Sequence, residues 1–295
     1  MPRLLSLVLM LTLFAPVAQA RKGRSRSIPV YTRSGEPNVQ AQSAAVVDLS
    51  TGEMLYAKHA DEVRPIASIS KLMAALVVTS RKLDLDGTTQ ITESDKQLAL
   101  RGARSRLLVG MTFTNRDLIH AMLIASDNRA VPALGRAVGL NTQELVAAMN
   151  AKAVELGLTH THFGDPTGLD PRNTSTAHDL VGLLRAAMKV PLILEITEKA
   201  HYVVHPVGHP SWSIEYNNTD LIARGTRYDV LTGKTGYTDL ALYCLAIAVK
   251  MVVGPADRPV AMVFLGAVGK MTRFGDFSRV AQWLIERKLG KRAGL

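Results

Sequence analysis

Three short polar motifs in this sequence carry side chains that could act together in acyl transfer. The first is Ser68-Ile69-Ser70-Lys71, at the start of an apolar pattern with helical spacing. A serine hydroxyl is a weak nucleophile until an adjacent base takes its proton. A lysine can be that base when burial or a second cation lowers its pKa. Serine is also a common helix N-cap, so this motif alone leaves both interpretations open.

Helical geometry distinguishes the two serines of this motif. At about 100° per residue, Lys71 lies about 60° around the helix axis from Ser68, one turn away on the same side. Ser70 lies about 100° from Lys71 and is poorly placed to share its ammonium group. The N–H groups at a helix N-terminus also suit a developing oxyanion. We therefore predict Ser68 as the nucleophile and Lys71 as its base.

The other two motifs lie far along the chain. Ser126-Asp127-Asn128 separates two predicted helices and offers a hydroxyl that could relay a proton and an amide that could hold a carbonyl. Lys234-Thr235-Gly236 lies where a strand is expected to begin or bend. Its lysine adds a second positive charge, its threonine could bind a carboxylate, and Gly236 permits a close approach of substrate to backbone. Each motif alone is also typical of a polar turn.

The ordered set of three motifs resembles that of the penicilloyl-serine transferases, which are the penicillin-binding proteins and serine β-lactamases. The flanking residues are most similar to those of low-molecular-mass penicillin-binding proteins that are D-alanyl-D-alanine endopeptidases, of penicillin-binding protein 7 type. The similarity runs from about Gln42 to Leu289, and its most specific stretches are 65–73, 126–130, 165–169 and 233–238.

The resemblance implies a role for each residue of the motifs. Ser68 would be acylated with Lys71 as its base, and Ser126 and Lys234 would relay a proton. The backbone N–H groups of Ser68 and Tyr237 would form the oxyanion hole. The substrate-binding residues would be those that orient the peptide amide or reach its carboxylate end: Asn128, Lys234, Thr235, Gly236, Tyr237 and Arg273.

The implied reaction is cleavage of a D-alanyl amide in peptidoglycan crosslinks through an acyl-serine intermediate. Muropeptides would be the substrates, β-lactam antibiotics would be covalent inhibitors, and no cofactor is required. A carboxypeptidase that trims pentapeptides is the first alternative, and a serine β-lactamase is the second. Loop 163–173 contains Asp165 and Asp170 but not the Glu-x-x-x-Asn pattern of class A β-lactamases, which predicts slow release of penicilloyl groups.

Other function classes find less support in the residues. The formal charge of +10 attracts polyanions, so a nucleic-acid binder and a non-enzymatic wall-binding protein are further alternatives. Aromatic and basic residues do not interleave as they do in nucleic-acid binders. His160-Thr161-His162 has no carboxylate-rich partner motif, which predicts a loop and no metal site. Cys244, the single cysteine, lies in an apolar run and is predicted to be a buried thiol.

The first residues predict export. Arg3, an apolar run over 4–17 and the small residues around Ala20 form the pattern of a signal peptide, 1–20, cleaved after Ala20. The protein is then expected in the periplasm, with an uncleaved membrane anchor as the alternative. Residues 21–40 are basic and predict a flexible linker before a catalytic domain over 41–295. The basic tail 288–292 could contact anionic membrane or wall polymers.

The predicted elements place strands at both ends of the chain and helices between them. This layout predicts an α/β (α+β) fold in which an antiparallel sheet from both termini is flanked by helices, with a helical lobe inserted at about 84–200. The resemblance implies the penicillin-binding protein/serine β-lactamase-like fold. The sequence ends soon after the predicted closing helix, without the second β-rich domain and amphipathic anchor of many family carboxypeptidases, which favours the shorter endopeptidase branch. The helices are predicted at about 68–81, 115–125, 129–138, 142–156, 176–188 and 274–289, and the strands at 43–48, 54–58, 202–204, 229–232, 240–253 and 260–267.

Overall fold

The structure is a computed structural model that describes residues 28–209, 211–253 and 256–288. The predicted signal peptide, the first part of the predicted linker (21–27) and residues 289–292 of the basic tail lie outside the described residues. Within those residues, no helix combines the length and the apolar character needed to cross a bilayer.

The described chain alternates helices with short and long strands. The strands are β1 Ser43–Asp48, β2 Met54–Lys58, β3 Arg64–Pro65, β4 Thr88–Gln90, β5 Thr112–Thr114, β6 Thr174–Ser175, β7 His201–Val204, β8 Ile214–Asn217, β9 Asp229–Thr238, β10 Leu242–Val253 and β11 Ala256–Ala267. The helices are α1 Ser70–Ser80, α2 Glu93–Leu98, α3 Asn115–Ile124, α4 Ala130–Ala137, α5 Thr142–Glu155, α6 Ala177–Ala187, α7 Pro191–Thr197 and α8 Thr272–Lys288.

A five-stranded antiparallel sheet joins the two ends of the chain. Its order is β2-β1-β11-β10-β9, and β1 pairs with β11 from Ser43 opposite Leu265 to Asp48 opposite Val260. Successive side chains of a strand point to opposite faces, and every residue of β1 is buried, so both faces of the sheet are covered. Ala45 packs on the side of α1 and α6, while Val46 packs on the side of α8. The predicted antiparallel sheet, flanked by helices, is confirmed.

Helix α1 is the centre of the larger core. Its residues from Ser70 to Val78 are all buried, which is expected of a helix that is apolar around its whole circumference. The sequence predicts a helix that begins at about Ser68, but the α-helix begins at Ser70. Ala67–Ile69 form a 3₁₀ turn instead, because Ala67 has a φ of +49° and cannot continue a regular α-helix.

Two short helices, α2 and α7, were not predicted. Helix α2 lacks an apolar stripe and begins with a capping box in which Thr92 and Asp95 exchange hydrogen bonds. Asp95 is fully buried and forms an ion pair with Arg136 of α4, so a tertiary contact holds this helix in place. Helix α7 has Pro191 at its first turn, where the missing N–H costs no hydrogen bond.

The described part of the predicted linker packs against the sheet and α8. Val39 is buried, and the backbone N–H groups of Gln40 and Ala41 donate to the carboxylate of Asp276 over 2.7 and 2.8 Å. Tyr31 and Pro37 form an isolated β-bridge. The C-terminal end of the predicted linker, at Val39 and Gln40, therefore packs against the rest of the chain, because Val39 is buried and the Asp276 carboxylate of α8 accepts from the Gln40 N–H.

Candidate active site

Ser68 and Lys71 meet at the start of α1. The Lys71 ammonium is fully buried and lies 2.9 Å from Ser68 Oγ. It also donates to Asn128 Oδ1 over 2.7 Å and to the Thr167 carbonyl over 2.6 Å. Burial lowers the Lys71 pKa to about 7, and the negative charges of Asp165 and Asp127 offset only part of this effect. A lysine with this pKa can accept a proton from a serine at neutral pH.

Ser70 has a different role from Ser68. Its hydroxyl is buried, donates to the Ala67 carbonyl over 2.8 Å and accepts from Asn173 Nδ2 over 2.8 Å. These two hydrogen bonds use its donor and tie the turn to loop 163–173. Ser68, in contrast, lines an open cleft. The structure therefore places the nucleophile predicted by helical geometry beside the base, and places Ser70 in the support of the turn.

Gly168 allows this turn to pack tightly. Its φ is +91°, and a Cβ at this position would lie 2.1 Å from the Ala67 carbonyl oxygen and 2.7 Å from the Ser68 backbone nitrogen. Only glycine fits a left-handed conformation with so close a neighbour. The carbonyl of the preceding residue, Thr167, is the one that accepts from Lys71. Sequence reasoning missed Thr167, because a backbone carbonyl leaves no signal in residue type.

The segment Ser126-Asp127-Asn128 lies between α3 and α4, and each of its three side chains has a different environment. Ser126 has a φ of +62°, and its buried Oγ has no hydrogen-bond partner among the described residues. Asp127 accepts from Ser105 Oγ, from the Arg129 N–H and from the Tyr216 hydroxyl. Asp127 therefore fixes the turn, while Ser126 and Asn128 face the cleft.

Lys234, Thr235 and Gly236 lie inside the edge strand β9, and not at its beginning. Lys234 is buried and donates to the Thr235 carbonyl over 3.0 Å. Burial, with the positive charges of Lys71 and Arg273, holds the Lys234 pKa well below its ordinary value. A Cβ on Gly236 would lie 2.7 Å from the Ile66 carbonyl oxygen, so β9 runs directly beside the turn that carries Ser68.

Arg273 and Tyr237 form one end of the cleft. Arg273, at the start of α8, is buried and donates to the carbonyls of Gly236 and Cys244 over 2.9 and 3.2 Å. Its guanidinium lies 5.2 Å from the ring of Tyr243, on which the half-exposed Tyr237 stacks at 4.3 Å. Thr235 Oγ1 donates to Thr219 Oγ1 over 2.7 Å, a partner that sequence reasoning missed.

A cleft of about 970 Å³ brings most of the predicted site residues together. It is lined by Ser68, Ser126, Asn128, Thr235, Gly236, Tyr237 and Arg273, and Lys71 and Lys234 lie beneath this lining. The candidate nucleophile Ser68, the candidate base Lys71, a Ser126 hydroxyl without a partner among the described residues and a second buried cation thus converge on one open cleft. This arrangement suits acyl transfer through an acyl-serine, with oxyanion donors from backbone N–H groups.

Loop 163–173 uses both of its aspartates in its own structure. Asp165 Oδ1 accepts from the N–H groups of Gly168 and Asp170, and Asp165 Oδ2 accepts from Thr167. Asp170 forms an ion pair with Arg172. Neither carboxylate is a free base for a deacylating water, and the loop has no glutamate.

The histidine pair and the cysteine lie outside this site. His162 Nδ1 lies 3.0 Å from the Arg172 carbonyl, and His160 Nδ1 lies 3.1 Å from Thr159 Oγ1. Across the part of the chain that the structure describes, no three His, Cys, Asp or Glu side chains form a metal-binding group. Cys244 is fully buried as predicted, and burial raises its pKa to about 11.

Comparison with known proteins shows the family to which this chain belongs. The sequence model of the D-alanyl-D-alanine carboxypeptidase family matches residues 31–268. The chain is 36% identical over 282 residues to the D-alanyl-D-alanine endopeptidase of Escherichia coli, covering 95% of this chain and 87% of the relative. It is also 36% identical to the D-alanyl-D-alanine endopeptidase of Pseudomonas aeruginosa, covering 96% of this chain and 88% of the relative.

A comparison with solved structures identifies the fold. The crystal structure of a D-alanyl-D-alanine carboxypeptidase from Mycobacterium tuberculosis matches with a TM-score of 0.73 at 29% identity, covering 88% of this chain and 94% of that chain. The family and the penicillin-binding protein-like fold implied by the motifs are confirmed. This chain therefore belongs to the D-alanyl-D-alanine carboxypeptidase family of serine peptidases.

Proposed function

We propose that this chain is a penicillin-sensitive D-alanyl-D-alanine endopeptidase that cleaves peptidoglycan crosslinks through an acyl-Ser68 intermediate. The observation that carries the proposal is the 2.9 Å distance between Lys71 Nζ and Ser68 Oγ in a site that lowers the Lys71 pKa to about 7. The two relatives at 36% identity, both D-alanyl-D-alanine endopeptidases, support the choice of leaving group.

In the first step, neutral Lys71 takes the proton of Ser68 while Oγ attacks the carbonyl carbon of a D-alanine residue. The carbonyl oxygen gains negative charge, which the backbone N–H groups of Ser68 and Tyr237 stabilise. The C–N bond then breaks, and the leaving amine takes a proton delivered through Ser126, which Lys234 supports. Asn128 holds the peptide amide, and Thr235 and Arg273 bind the carboxylate beside the scissile bond.

In the second step, water attacks the acyl-serine and restores the Ser68 hydroxyl. A β-lactam would acylate Ser68 in the same way, but its leaving amine stays attached to the acyl group. No glutamate in loop 163–173 activates a deacylating water, so the penicilloyl group should leave slowly. This is the reason that we favour a peptidase over a β-lactamase.

The proposed setting is the periplasm, where crosslinked muropeptides are the substrates and β-lactam antibiotics are covalent inhibitors. The second candidate function is a carboxypeptidase that removes the terminal D-alanine of pentapeptides. The matching carboxypeptidase structure supports it, and the three motifs predict the acylation centre without predicting the leaving amine.

Labelled penicillin tests the acylation centre. We expect the purified protein to take up label that persists on a denaturing gel, and Ser68→Ala to take up none. Rapid turnover of a chromogenic cephalosporin would indicate a β-lactamase, and an unlabelled wild-type protein would favour a non-enzymatic wall-binding role.

Paired digests test the leaving group. Crosslinked muropeptide dimers and monomeric pentapeptides are incubated side by side with wild type and Ser68→Ala. We expect wild type to convert dimers to monomers. If wild type trims only pentapeptides, the carboxypeptidase is the correct function.

A further inference from the structure

Positive charge dominates the lining of the active-site cleft. Three exposed cations line it: Arg101, Arg224 and Lys270, here called the cationic rim. None of the three forms a hydrogen bond or an ion pair with another described residue. The single carboxylate in the lining, Asp239, accepts from the Tyr237 hydroxyl over 2.8 Å. The rim charges are therefore available to a ligand.

The segment that carries Arg101 is tied to a catalytic motif. Arg101 precedes Gly102, where a Cβ would lie 2.1 Å from Asn128 Nδ2, so its backbone runs directly against Asn128. This close contact places the backbone next to Arg101 beside Asn128, and Arg101 itself lines the cleft.

The other two rim segments are tied to β9. Arg224 follows the segment in which Thr219 accepts from Thr235 over 2.7 Å. Lys270 lies three residues before Arg273, which donates to the Gly236 carbonyl over 2.9 Å. The three cations therefore line the same cleft as Ser68, on segments from different parts of the chain.

We propose that the cationic rim is a subsite that selects acidic peptides, which carry free carboxylates away from the scissile amide. This inference rests on the proposed function, because it assigns a substrate class to the same cleft. A single carboxylate beside the scissile bond can be bound by Thr235 and Arg273, so the rim charges are in excess of what the smallest substrate requires. A branched, crosslinked peptide with several free carboxylates uses them, and its amidated counterpart does not.

The size of the expected preference for the acidic peptide follows from the solvent exposure of the three rim cations. An exposed ion pair changes binding by about 1.4- to fivefold, so three should favour the acidic peptide by about 3- to 125-fold, and we expect about tenfold in kcat/KM. The Debye length falls from about 10 Å at 0.1 M salt to about 3 Å at 1 M, so high salt should remove most of this preference.

The experiment is a competition between two crosslinked peptide dimers in one tube. They are identical except that every carboxylate remote from the scissile amide is free in one and a carboxamide in the other. The ratio of the two kcat/KM values is measured for wild type at low and at high salt. We expect about a tenfold preference for the free-carboxylate dimer at low salt, and a ratio near one at 1 M salt.

Variants assign the preference to the rim. Arg101→Gln/Arg224→Gln/Lys270→Gln should give a ratio near one at low salt. The control Arg104→Gln/Arg227→Gln/Lys250→Gln removes the same number and type of exposed cations outside the cleft lining, and should keep the wild-type ratio. Because both substrates meet the same enzyme, partial loss of folded protein does not change the ratio.

The outcomes separate this inference from the proposed function. A wild-type protein that takes up labelled penicillin and cleaves both dimers at equal rates overturns the rim subsite alone. A rim variant that keeps the wild-type ratio also overturns it. If the wild-type protein takes up no labelled penicillin, the proposed function itself is overturned.

Discussion

Lys71 Nζ lies 2.9 Å from Ser68 Oγ, although Ser68 belongs to a 3₁₀ turn and Lys71 to the α-helix that follows it. The contact does not come from a regular helix alone, because the strained turn at Ala67 sets the direction of Ser68. Asn128 and the Thr167 carbonyl fix the ammonium from the other side. The Lys71 ammonium is thus held by three chain segments and lies away from solvent.

The first prediction concerns pH. The Lys71 pKa is lowered from 10.5 to about 7, so about half of the lysine is neutral at pH 7, compared with roughly one in 3000 for an ordinary lysine. Since only the neutral amine accepts a proton, penicillin acylation should slow about fivefold from pH 7 to pH 6 and about tenfold from pH 6 to pH 5. Labelling with penicillin, quenched at a series of times, measures this acylation rate. A rate that is constant from pH 5 to pH 8 would exclude Lys71 as the base.

The second prediction separates the two serines. Ser70→Ala removes two buried hydrogen bonds and should lower the free energy of unfolding by about 1–3 kcal/mol. The folded fraction should still take up labelled penicillin, because Ser70 does not line the cleft. Denaturant unfolding and gel labelling check both parts. Loss of label from a folded Ser70→Ala protein, with label retained by Ser68→Ala, would reverse the assignment.

The third prediction concerns Ser126, whose buried hydroxyl has no partner among the described residues. Ser126→Ala should change the free energy of unfolding by about 1 kcal/mol or less, since no hydrogen bond is lost. Acylation should slow by about 100-fold, because a positioned proton relay contributes about this factor. Thermal unfolding and the acylation rate are measured on the same sample. A large loss of stability with unchanged acylation would show a structural role instead.

The fourth prediction concerns the turn that carries Ser68. Gly168→Ala places a Cβ about 2 Å from the Ala67 carbonyl oxygen and strains a φ of +91°. We expect a loss of more than about 2 kcal/mol of stability and slower acylation of the folded fraction. Gly110→Ala is the control, because its φ is +86° but no atom lies within 4 Å of the added Cβ. Equal effects of the two substitutions would exclude the steric contact as the cause.

The fifth prediction concerns Asp220, a fully buried carboxylate whose Oδ2 has no partner among the described residues. Burial raises its pKa from 3.8 to about 6, against the opposing effects of the Ile222 N–H and Arg273. Its contribution to stability is therefore fully present below pH 4 and is lost as pH rises through 6. Asp220→Asn should be more stable than wild type by up to about 3 kcal/mol above pH 7 and equal to it near pH 4.

Denaturant unfolding at several pH values measures this difference, with the exposed Asp229→Asn as the control that should show none. A stability gain that is the same at pH 4 and pH 8 would contradict the assignment. Since the Asp220 charge also acts on buried Lys234 and Arg273, we expect the more stable variant to acylate more slowly.

Much of the candidate site could be predicted from sequence, because its proposed chemistry depends on residue types in local patterns. The spacing of Ser68 and Lys71 places both on one side of a helix start, and Gly236 permits a close approach of backbone. The strands β1 and β2 were predicted with the bounds that the structure has, since a short turn joins two apolar runs. Helix α2 was missed because a capping box and an ion pair support it instead of an apolar stripe. Helix α7 buries Ile193 and Ile196 but was missed because seven residues are too few to show a clear helical period.

The sequence by itself determined the identity and order of the chemical groups, since these depend on neighbours within one or two turns of chain. The tertiary structure alone decided what surrounds them. Three features arise where distant segments meet: the Thr167 carbonyl that accepts from Lys71, the buried Ser126 hydroxyl without a partner among the described residues, and the buried carboxylate of Asp220. Burial and hydrogen bonding across such contacts shift pKa values, and no local pattern encodes them.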